Sequence, residues 1–292
     1  MTFFSQILQY AISGITGGSI YAIIGICWSV VYLISRVLNL TTGEFVMLGG
    51  MLAWGFHAMG LNMPTAIGLA VACTIVVSAL LERLAIRPVR HPSETVYMMI
   101  TIAAASVMKG VVLLIWGSET RTIDPFFGTE VIHFLGATIT SQVLCVIGLL
   151  IIITIGLTLF LNRTIFGKAL QASAINETGA KLVGIDINKF RLFCFGLAGG
   201  LGAITGIVIT PITFTGYSIG MLTGLKGLVA AIVGNWSITG TVAAGLALGL
   251  LEGFCAGFIS PGLKDVFALL VMVIFLVVRT MSFQRKPRKE SV

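Results

Sequence analysis

Four ionisable side chains stand inside long apolar segments of the chain, and they are Glu44, Lys109, Lys226 and Glu252. A charge at the centre of a lipid bilayer costs about 2.5–3.5 kcal/mol or more, so such groups usually face protein or water. Lys226 could meet an anionic group in a polar pathway, or it could reach the outer surface. Glu44 and Glu252 could line the same pathway or hold helices together by hydrogen bonds. Lys109 stands near the end of its segment, where we expect its ammonium group to reach the interface.

The sequence lacks the motifs of an ATP-binding or metal-dependent enzyme. Residues 167–169 read Gly-Lys-Ala and position 162 is Asn, so a phosphate-binding loop would lack both its first glycine and its Ser or Thr. The histidines are scattered over different loops and segment ends, and they are His57, His91 and His133. We therefore expect no catalytic site, no bound metal and no cofactor on this chain.

The composition indicates that membrane-spanning helices position these residues. Of 292 residues, 57% are hydrophobic and 10% are charged, and the mean hydropathy is +1.05. Soluble domains are about 45–50% apolar and about 25% charged. Because one helical span takes about 20 apolar residues, we expect an all-α polytopic membrane protein of about eight or nine helices, with residues 1–292 as a single transmembrane domain. The predicted spans are 7–34, 38–59, 64–81, 95–117, 140–161, 191–212, 222–236, 240–258 and 263–280.

The charged residues predict an orientation. Basic residues cluster at 83–90, in the 162–191 loop and in the tail at 279–289, whereas the 118–139 loop carries three acidic residues and one arginine. With the basic loops in the cytoplasm, nine spans place the N-terminus outside the cell and the C-terminus inside. We expect the chain in a bacterial inner membrane. This distribution accounts for the net charge of +7 without a nucleic-acid partner.

Two segments share a spacing that suggests an internal repeat. Residues 42–50 and 223–231 match at an offset of 181 positions, and both run on to a tryptophan, Trp54 or Trp236. On the predicted orientation the two segments cross in opposite directions. We therefore expect an inverted repeat with halves of about 7–117 and 191–280 and a connecting span at 140–161, although chance similarity between apolar segments is the alternative. Inverted repeats are typical of transport proteins.

One predicted span carries a glycine at every fourth position, and these glycines are Gly245, Gly249, Gly253 and Gly257. They form a stripe without side chains along one face of the helix. In lipid such a stripe permits close backbone contact with a neighbouring helix, so we expect helix packing. A face of the solute pathway is the second interpretation.

The basic segment between the fifth and sixth spans contains a candidate amphipathic helix at 169–183. Leu170, Ala174, Ala180 and Val183 would form part of its apolar face. Gly184 would end the helix. A helix in this place could rest on lipid headgroups or dock a cytoplasmic partner.

Several stretches resemble one protein family. Residues 167–176 and 180–185 resemble the cytoplasmic coupling loop of ABC importer permeases, and most closely that of the branched-chain amino acid permease family. Further similarity to that family lies at 17–22 with 39–44, at 224–234, and at 249–252 with Gly257. The resemblance covers nearly the whole chain in the expected order.

The resemblance implies a type II-like permease that forms half of a transmembrane dimer, commonly with a related second permease. Two cytoplasmic ATPase subunits would hold ATP and Mg²⁺, and a periplasmic binding protein would deliver the solute. The 162–190 segment would be the coupling loop, and its contact residues would be Ala172, Ala174, Glu177, Ala180 and Gly184. The chain would move a small polar solute, above all a branched-chain or other amino acid, and would not itself be an enzyme.

Two departures from the family pattern concern the solute. The chain has Leu-Thr-Thr at 40–42 before the Gly-Glu pair, and Asn and Trp follow Gly234 where a second glycine is common. Urea or amides are therefore alternative solutes, and a stand-alone secondary transporter is the alternative class. The candidate pathway residues are Asn39, Thr42, Glu44, Lys226, Asn235 and Glu252.

Overall fold

The computed structural model describes residues 3–89, 93–126, 128, 131–134, 136–260 and a few positions between 262 and 277. This part of the chain forms ten α-helices and two β-strands. Their bounds are α1 (Phe3–Ser35), α2 (Thr42–Ala58), α3 (Met63–Leu81, continued by a π-helical turn at Glu82–Ile86), α4 (Glu94–Trp116), β1 (Val131–Phe134), β2 (Ala137–Thr140), α5 (Ser141–Arg163), α6 (Ile165–Ile175), α7 (Glu177–Leu182), α8 (Ile187–Thr213), α9 (Ile219–Val233) and α10 (Ile238–Phe258).

Within the described part, each predicted span is helical over most of its length. Six helices there, α1, α3, α4, α5, α8 and α10, are long and apolar enough to cross a membrane. The span predicted at 38–59 becomes helical only at Thr42, and α2 has 17 residues. The short span predicted at 222–236 is α9, with 15 residues. Apart from a few positions, the ninth predicted span at 263–280 and the basic tail lie outside the described residues. The chain is an all-α polytopic membrane protein.

A small hairpin departs from the expected loop at 118–139. β1 pairs with β2 in antiparallel register, with Val131 opposite Thr140 and Phe134 opposite Ala137. Gln9 near the start of α1 fixes the hairpin, because its side-chain oxygen accepts from the Thr138 amide at 2.8 Å. The short strands were not predicted, because the side chain of Gln9 on a distant helix holds them in place and local periodicity does not reveal that contact.

α1 lies at the centre of the helix bundle. It contacts α5, α8, α9 and α10, whereas α3 and α4 carry many exposed apolar side chains on the outside. The largest fully buried side chains include Trp28, Phe45 and Phe195, one each on α1, α2 and α8. Exposed apolar side chains are the normal surface of a helix that faces lipid.

Equivalent helices of the two candidate repeats make equivalent contacts. The backbone of α1 at Gly25 touches α9 at Gly227, and the backbone of α8 at Gly206 touches α2 at Val46. The offset of 181 residues relates Gly25 to Gly206 and Val46 to Gly227. Such reciprocal contacts are expected when two repeats are related by a twofold axis. The boundaries of the repeat halves stay a prediction.

The glycine stripe of α10 lies along α1. A Cβ atom on Gly249 would collide with the backbones of Gly14 and Gly18, and one on Gly253 would lie 2.7 Å from the Tyr10 carbonyl oxygen. The last glycine, Gly257, faces the Tyr10 ring. The two helix backbones therefore approach more closely than any side chain on this face of α10 would allow.

The predicted coupling loop at 162–190, called here the coupling segment, contains two short helices and not the single helix predicted at 169–183. The chain breaks at Asn176, whose extended backbone separates α6 from α7 and whose side chain accepts a hydrogen bond from the Gly179 amide at 2.9 Å. The prediction was wrong because an Asn side chain competes with the helix for backbone donors and starts a new helix instead. The chain leaves α7 through Gly184, which has the positive φ of 85° that suits glycine.

The apolar face predicted for this segment is also only partly right. Leu170 and Ala180 are buried, together with Ser173, but Val183 is largely exposed. The break at Asn176 rotates α7 relative to α6, so a face drawn for one continuous helix does not hold on both sides of it.

Candidate functional site

A cavity of about 830 Å³ lies beside the hairpin, between α1, α8, α9 and α10. Its wall is mixed in character. Aliphatic side chains include Ile20, Ile209 and Leu222, and hydroxyl groups include those of Thr16 and Thr213. A cavity of this volume accommodates a small solute and several waters.

Two of the predicted pathway residues meet in the wall of this cavity. Lys226 on α9 donates from Nζ to Glu252 Oε1 on α10 at 2.8 Å, and each side chain is 8% exposed. Lys226 Nζ also donates to the Tyr21 hydroxyl on α1 at 3.0 Å and lies 5.1 Å from the centre of its ring. Three helices therefore converge on one buried ammonium group.

The pairing explains how both charges are tolerated at this depth. A buried charge without a partner is strongly destabilising, whereas an ion pair with further hydrogen bonds is compatible with a folded interior. Glu252 nevertheless keeps one oxygen, Oε2, that is buried and has no hydrogen-bond partner among the described residues. The wall of the cavity thus contains a buried carboxylate oxygen without a hydrogen-bond donor among the described residues.

Glu44 lies apart from this pair. It is buried at the start of α2, and its carboxylate lies against Gly220 of α9, close to where Gly43 touches Gly224. Its Oε2 has no hydrogen-bond partner within the described part of the chain. Glu44 is not among the residues that line the cavity. Its place at the contact between α2 and α9 suits a structural role.

Asn39 and Thr42 make hydrogen bonds within the turn that precedes α2. Thr41 donates from its hydroxyl to Asn39 Oδ1 at 2.5 Å, and Thr42 donates from its hydroxyl to the Asn39 carbonyl at 2.8 Å. Asn39 is fully buried, and no described residue accepts from its Nδ2. Both residues close the turn between α1 and α2, away from the cavity.

Asn235 lies at the other end of α9 from the cavity. The first half of α9 lines the cavity, whereas Asn235 is exposed in the turn before α10. Both Asn235 and Trp236 have positive φ, and the Trp236 ring stacks on Tyr32 of α1 at 3.9 Å between centroids. The structure therefore does not bring Asn235 together with Lys226 and Glu252.

The predicted coupling residues differ in accessibility. Ala172 and Gly184 are exposed, Ala174 is half-buried and Ala180 is buried. Glu177 begins α7, and its side chain lies outside the described part. Arg36, just after α1, donates from Nη2 to the Ala174 carbonyl at 3.3 Å, so the end of α6 is tied to the end of α1.

Large apolar side chains stand exposed at the end of α6 and at the end of α7. They are Ile175, Leu182 and Val183, with exposures of 87%, 84% and 76%. We call these three residues the coupling patch. Their exposure makes these apolar side chains available to lipid headgroups or to a partner protein.

Sequence analysis missed Tyr21 and Glu82, two residues that contact buried charged groups. Tyr21 lies in the stretch 17–22 that carried the family resemblance, but nothing in that pattern pointed to its contact with Lys226. Glu82 is fully buried in the π-helical turn after α3 and accepts from Arg191 Nε at 3.1 Å. This second buried ion pair joins α3 to the start of α8, directly after the coupling segment.

Among the described residues, no three His, Cys, Asp or Glu side chains come close enough together to hold a metal ion. Together, the membrane-spanning helices and the polar cavity between them define a polytopic transport protein of the α-helical class.

The family follows from comparison with known proteins. Residues 10–276 match the family described as the permease component of the branched-chain amino acid transport system, and the chain belongs to that family. The high-affinity branched-chain amino acid permease protein BraD of Pseudomonas aeruginosa is 28% identical over 98% of both chains. The permease protein LivH of Escherichia coli is 27% identical over 99% of both.

A solved structure agrees in fold. The chain resembles one in the structure of PsaBC from Streptococcus pneumoniae in complex with Fab, with a TM-score of 0.53 over 93% of this chain and 90% of that chain. Sequence identity there is 14%, so the likeness concerns the fold alone.

Proposed function

We propose that this chain is a permease subunit of an ATP-driven ABC importer that carries branched-chain or other amino acids across the bacterial inner membrane. Membership of the branched-chain amino acid permease family supports the class. The main structural support is the cavity of about 830 Å³, which has Lys226 and Glu252 in its wall and could hold the solute. The chain moves solute, and ATP hydrolysis takes place on separate subunits that bind ATP and Mg²⁺.

The charge distribution supports an orientation for the cavity. With the basic segments in the cytoplasm, the N-terminus of α1 and the hairpin lie on the periplasmic side and the C-terminus lies in the cytoplasm. The cavity beside the hairpin then faces the periplasm, where a binding protein releases the solute. The coupling patch faces the cytoplasm, where the ATPase subunits dock. A second, related permease completes the transmembrane part.

A physical link between the two ends supports coupled transport. α6 rests on the end of α5, where Gly167 leaves no room for a side chain against Phe160 and Leu161. The bond from Arg36 to the Ala174 carbonyl ties α6 to α1, which forms one wall of the cavity. Movement of α6 when the ATPases close would therefore displace α1 and expose the solute to the other side.

The charged pair and the coupling patch distinguish this proposal from two other functions, a urea or amide permease and a stand-alone secondary transporter. A urea or amide permease of the same family would carry a neutral solute and would have no use for two charges beside the cavity. A stand-alone secondary transporter would need its own coupling-ion site and would continue uptake without an ATPase. The coupling patch favours the importer.

Reconstitution tests the proposal. The chain is co-expressed with the second permease and the ATPases from its own genome, and the complex is placed in liposomes with the loaded binding protein. We expect leucine uptake that requires ATP on the side of the membrane where the ATPase subunits are bound. This uptake should stop when the ATPase is inactivated. Uptake driven by a proton or sodium gradient without ATPase would contradict the proposal, and so would ATP-dependent uptake of urea or acetamide but not leucine.

A further inference from the structure

We propose that Lys226 and Glu252 form a recognition site for the zwitterionic head of an α-amino acid, with Lys226 binding the carboxylate and Glu252 binding the ammonium group. The inference rests on the proposed function and names the chemistry that selects its solute. Tyr21 is a positioning residue, because it acts through Lys226.

The first support is the unused acceptor on Glu252. The residue is 7% exposed and lines the cavity, and its Oε2 has no partner in the described part of the chain. Leaving a buried carboxylate oxygen unsatisfied costs free energy. When the Glu252 carboxylate turns toward the cavity, the ammonium group of a solute supplies the missing donor.

The second support is charge balance. If the pair separates, the two buried charges must each find a new partner, because an uncompensated charge at this depth is strongly destabilising. A zwitterion supplies both partners at once. A carboxylic acid without an amine, or an amine without a carboxylate, satisfies only one charge, and a neutral amide such as urea satisfies neither. The site therefore selects against the neutral solutes of the alternative function.

The surroundings match the rest of such a solute. Tyr21 holds the Lys226 ammonium group through its hydroxyl oxygen and its ring, so Lys226 stays in place when Glu252 turns to the ligand. Ile20, Ile209 and Leu222 in the same cavity wall offer an apolar surface for a branched aliphatic side chain. The cavity combines a two-charge recognition point with an aliphatic surface.

Thermal stabilisation of the purified permease–ATPase complex, measured without the binding protein, tests the site itself. A ligand that binds only the folded state stabilises it by RT ln(1 + [L]/Kd), so the melting temperature rises with the logarithm of ligand concentration once that concentration exceeds the Kd. The probes are leucine, 4-methylpentanoic acid without the amine, 3-methylbutylamine without the carboxylate, and acetamide. We expect leucine to stabilise at a concentration at least tenfold lower than any of the other three. Equal stabilisation by acetamide, or none by leucine up to its solubility limit, would overturn the inference.

A paired substitution separates ligand recognition from folding. Lys226→Met with Glu252→Gln removes both charges together, and replacing a buried ion pair as a unit is often tolerated. We expect the double variant to assemble but to need at least tenfold more leucine for the same stabilisation. The matched control is Glu82→Gln with Arg191→Met, which removes the other buried pair outside the cavity and should leave the leucine response unchanged.

The outcomes distinguish the inference from the function on which it rests. If the Lys226/Glu252 double variant keeps the wild-type leucine response while the wild-type complex shows ATP-dependent leucine uptake, the recognition site is wrong and the importer stands. If the double variant does not assemble, the single variant Tyr21→Phe replaces it. Tyr21→Phe keeps the ring and loses the hydroxyl acceptor for Lys226, and we expect it to weaken the leucine response severalfold; an unchanged response would overturn the inference. If the wild-type complex carries only neutral amides, both proposals fail.

Discussion

Single residues without side chains set the distance between the two central helices. α10 lies directly on α1 because Gly249 and Gly253 leave their backbones bare at the contact. Leucine at position 253 would have to displace the Tyr10 carbonyl and the Gly14 backbone. We expect Gly253→Leu to destabilise the protein by about 1–3 kcal/mol or more, seen as lower folded yield and a lower melting temperature in detergent.

Gly156 on α5 provides a matched control for that substitution. It is exposed, and among the described residues nothing lies within 4 Å of the position its Cβ would occupy. Gly156→Leu should therefore fold at the wild-type level. If both leucine variants behave alike, the glycine stripe of α10 is not a close contact.

The buried ion pair between Glu82 and Arg191 makes a second residue-scale prediction. Arg191→Met would leave the fully buried Glu82 carboxylate without its charged partner. We expect a loss of about 3–5 kcal/mol, measured by thermal or denaturant unfolding. Lys189→Met removes a cation two positions away that is 84% exposed and lies 3.6 Å from Asp186, and it should cost no more than about 1 kcal/mol. Equal losses would show that the Glu82 contact has no special weight.

At the scale of elements, the break between α6 and α7 defines the proposed docking surface for the ATPase. Ile175 at this break is 87% exposed, and Ile165 at the other end of α6 is 86% exposed. Arginine at either position adds the same charge at the same exposure. Docking at the break predicts that Ile175→Arg lowers ATPase co-purification and solute uptake, whereas Ile165→Arg leaves both unchanged. If α6 merely rests on anionic headgroups, both variants should strengthen membrane contact and neither should lose the ATPase.

The elements also show how far sequence alone reaches. Apolar length predicted the positions of the membrane-spanning helices. The assignment of 162–190 as a coupling loop, which follows from the resemblance, stays a prediction. The break at Asn176 escaped prediction because apolar spacing favours one helix across it, and the capping bond to the Gly179 amide decides otherwise. Positive-inside counting has no power to find the hairpin, whose anchor is Gln9 on a distant helix.

For the candidate site, the sequence predicts individual residues but not the contacts between them. Lys226 and Glu252 were chosen because isolated charges in apolar spans are costly, and that argument concerns each residue alone. Their pairing depends on how α9, α10 and α1 are rotated about their own axes and on the angles at which they cross. Close glycine contacts between these helices determine both. Tyr21 gave no signal because a tyrosine inside an apolar helix is ordinary. Asn235 was chosen by its place in a motif, and the structure puts it at the opposite end of α9 from the cavity.

At the scale of the whole molecule, ATP-driven import requires one cavity that opens to the periplasm and closes when ATP binds. Thr213 lies exposed in the cavity wall, and Asn235 lies exposed at the opposite end of the bundle. A cysteine at each position reports which side a membrane-impermeant maleimide can reach. The background for this experiment replaces the native cysteines, which are Cys27, Cys73, Cys145, Cys194 and Cys255.

The most direct measurement is maleimide labelling of Thr213→Cys from the periplasmic side of the assembled importer. We predict labelling without nucleotide, protection by excess leucine, and loss of labelling when the ATPases are trapped with ATP and vanadate. Asn235→Cys should react only from the cytoplasmic side. Labelling of Thr213→Cys from the cytoplasm alone, or labelling that neither leucine nor trapped nucleotide changes, would contradict an outward-facing solute cavity driven by ATP.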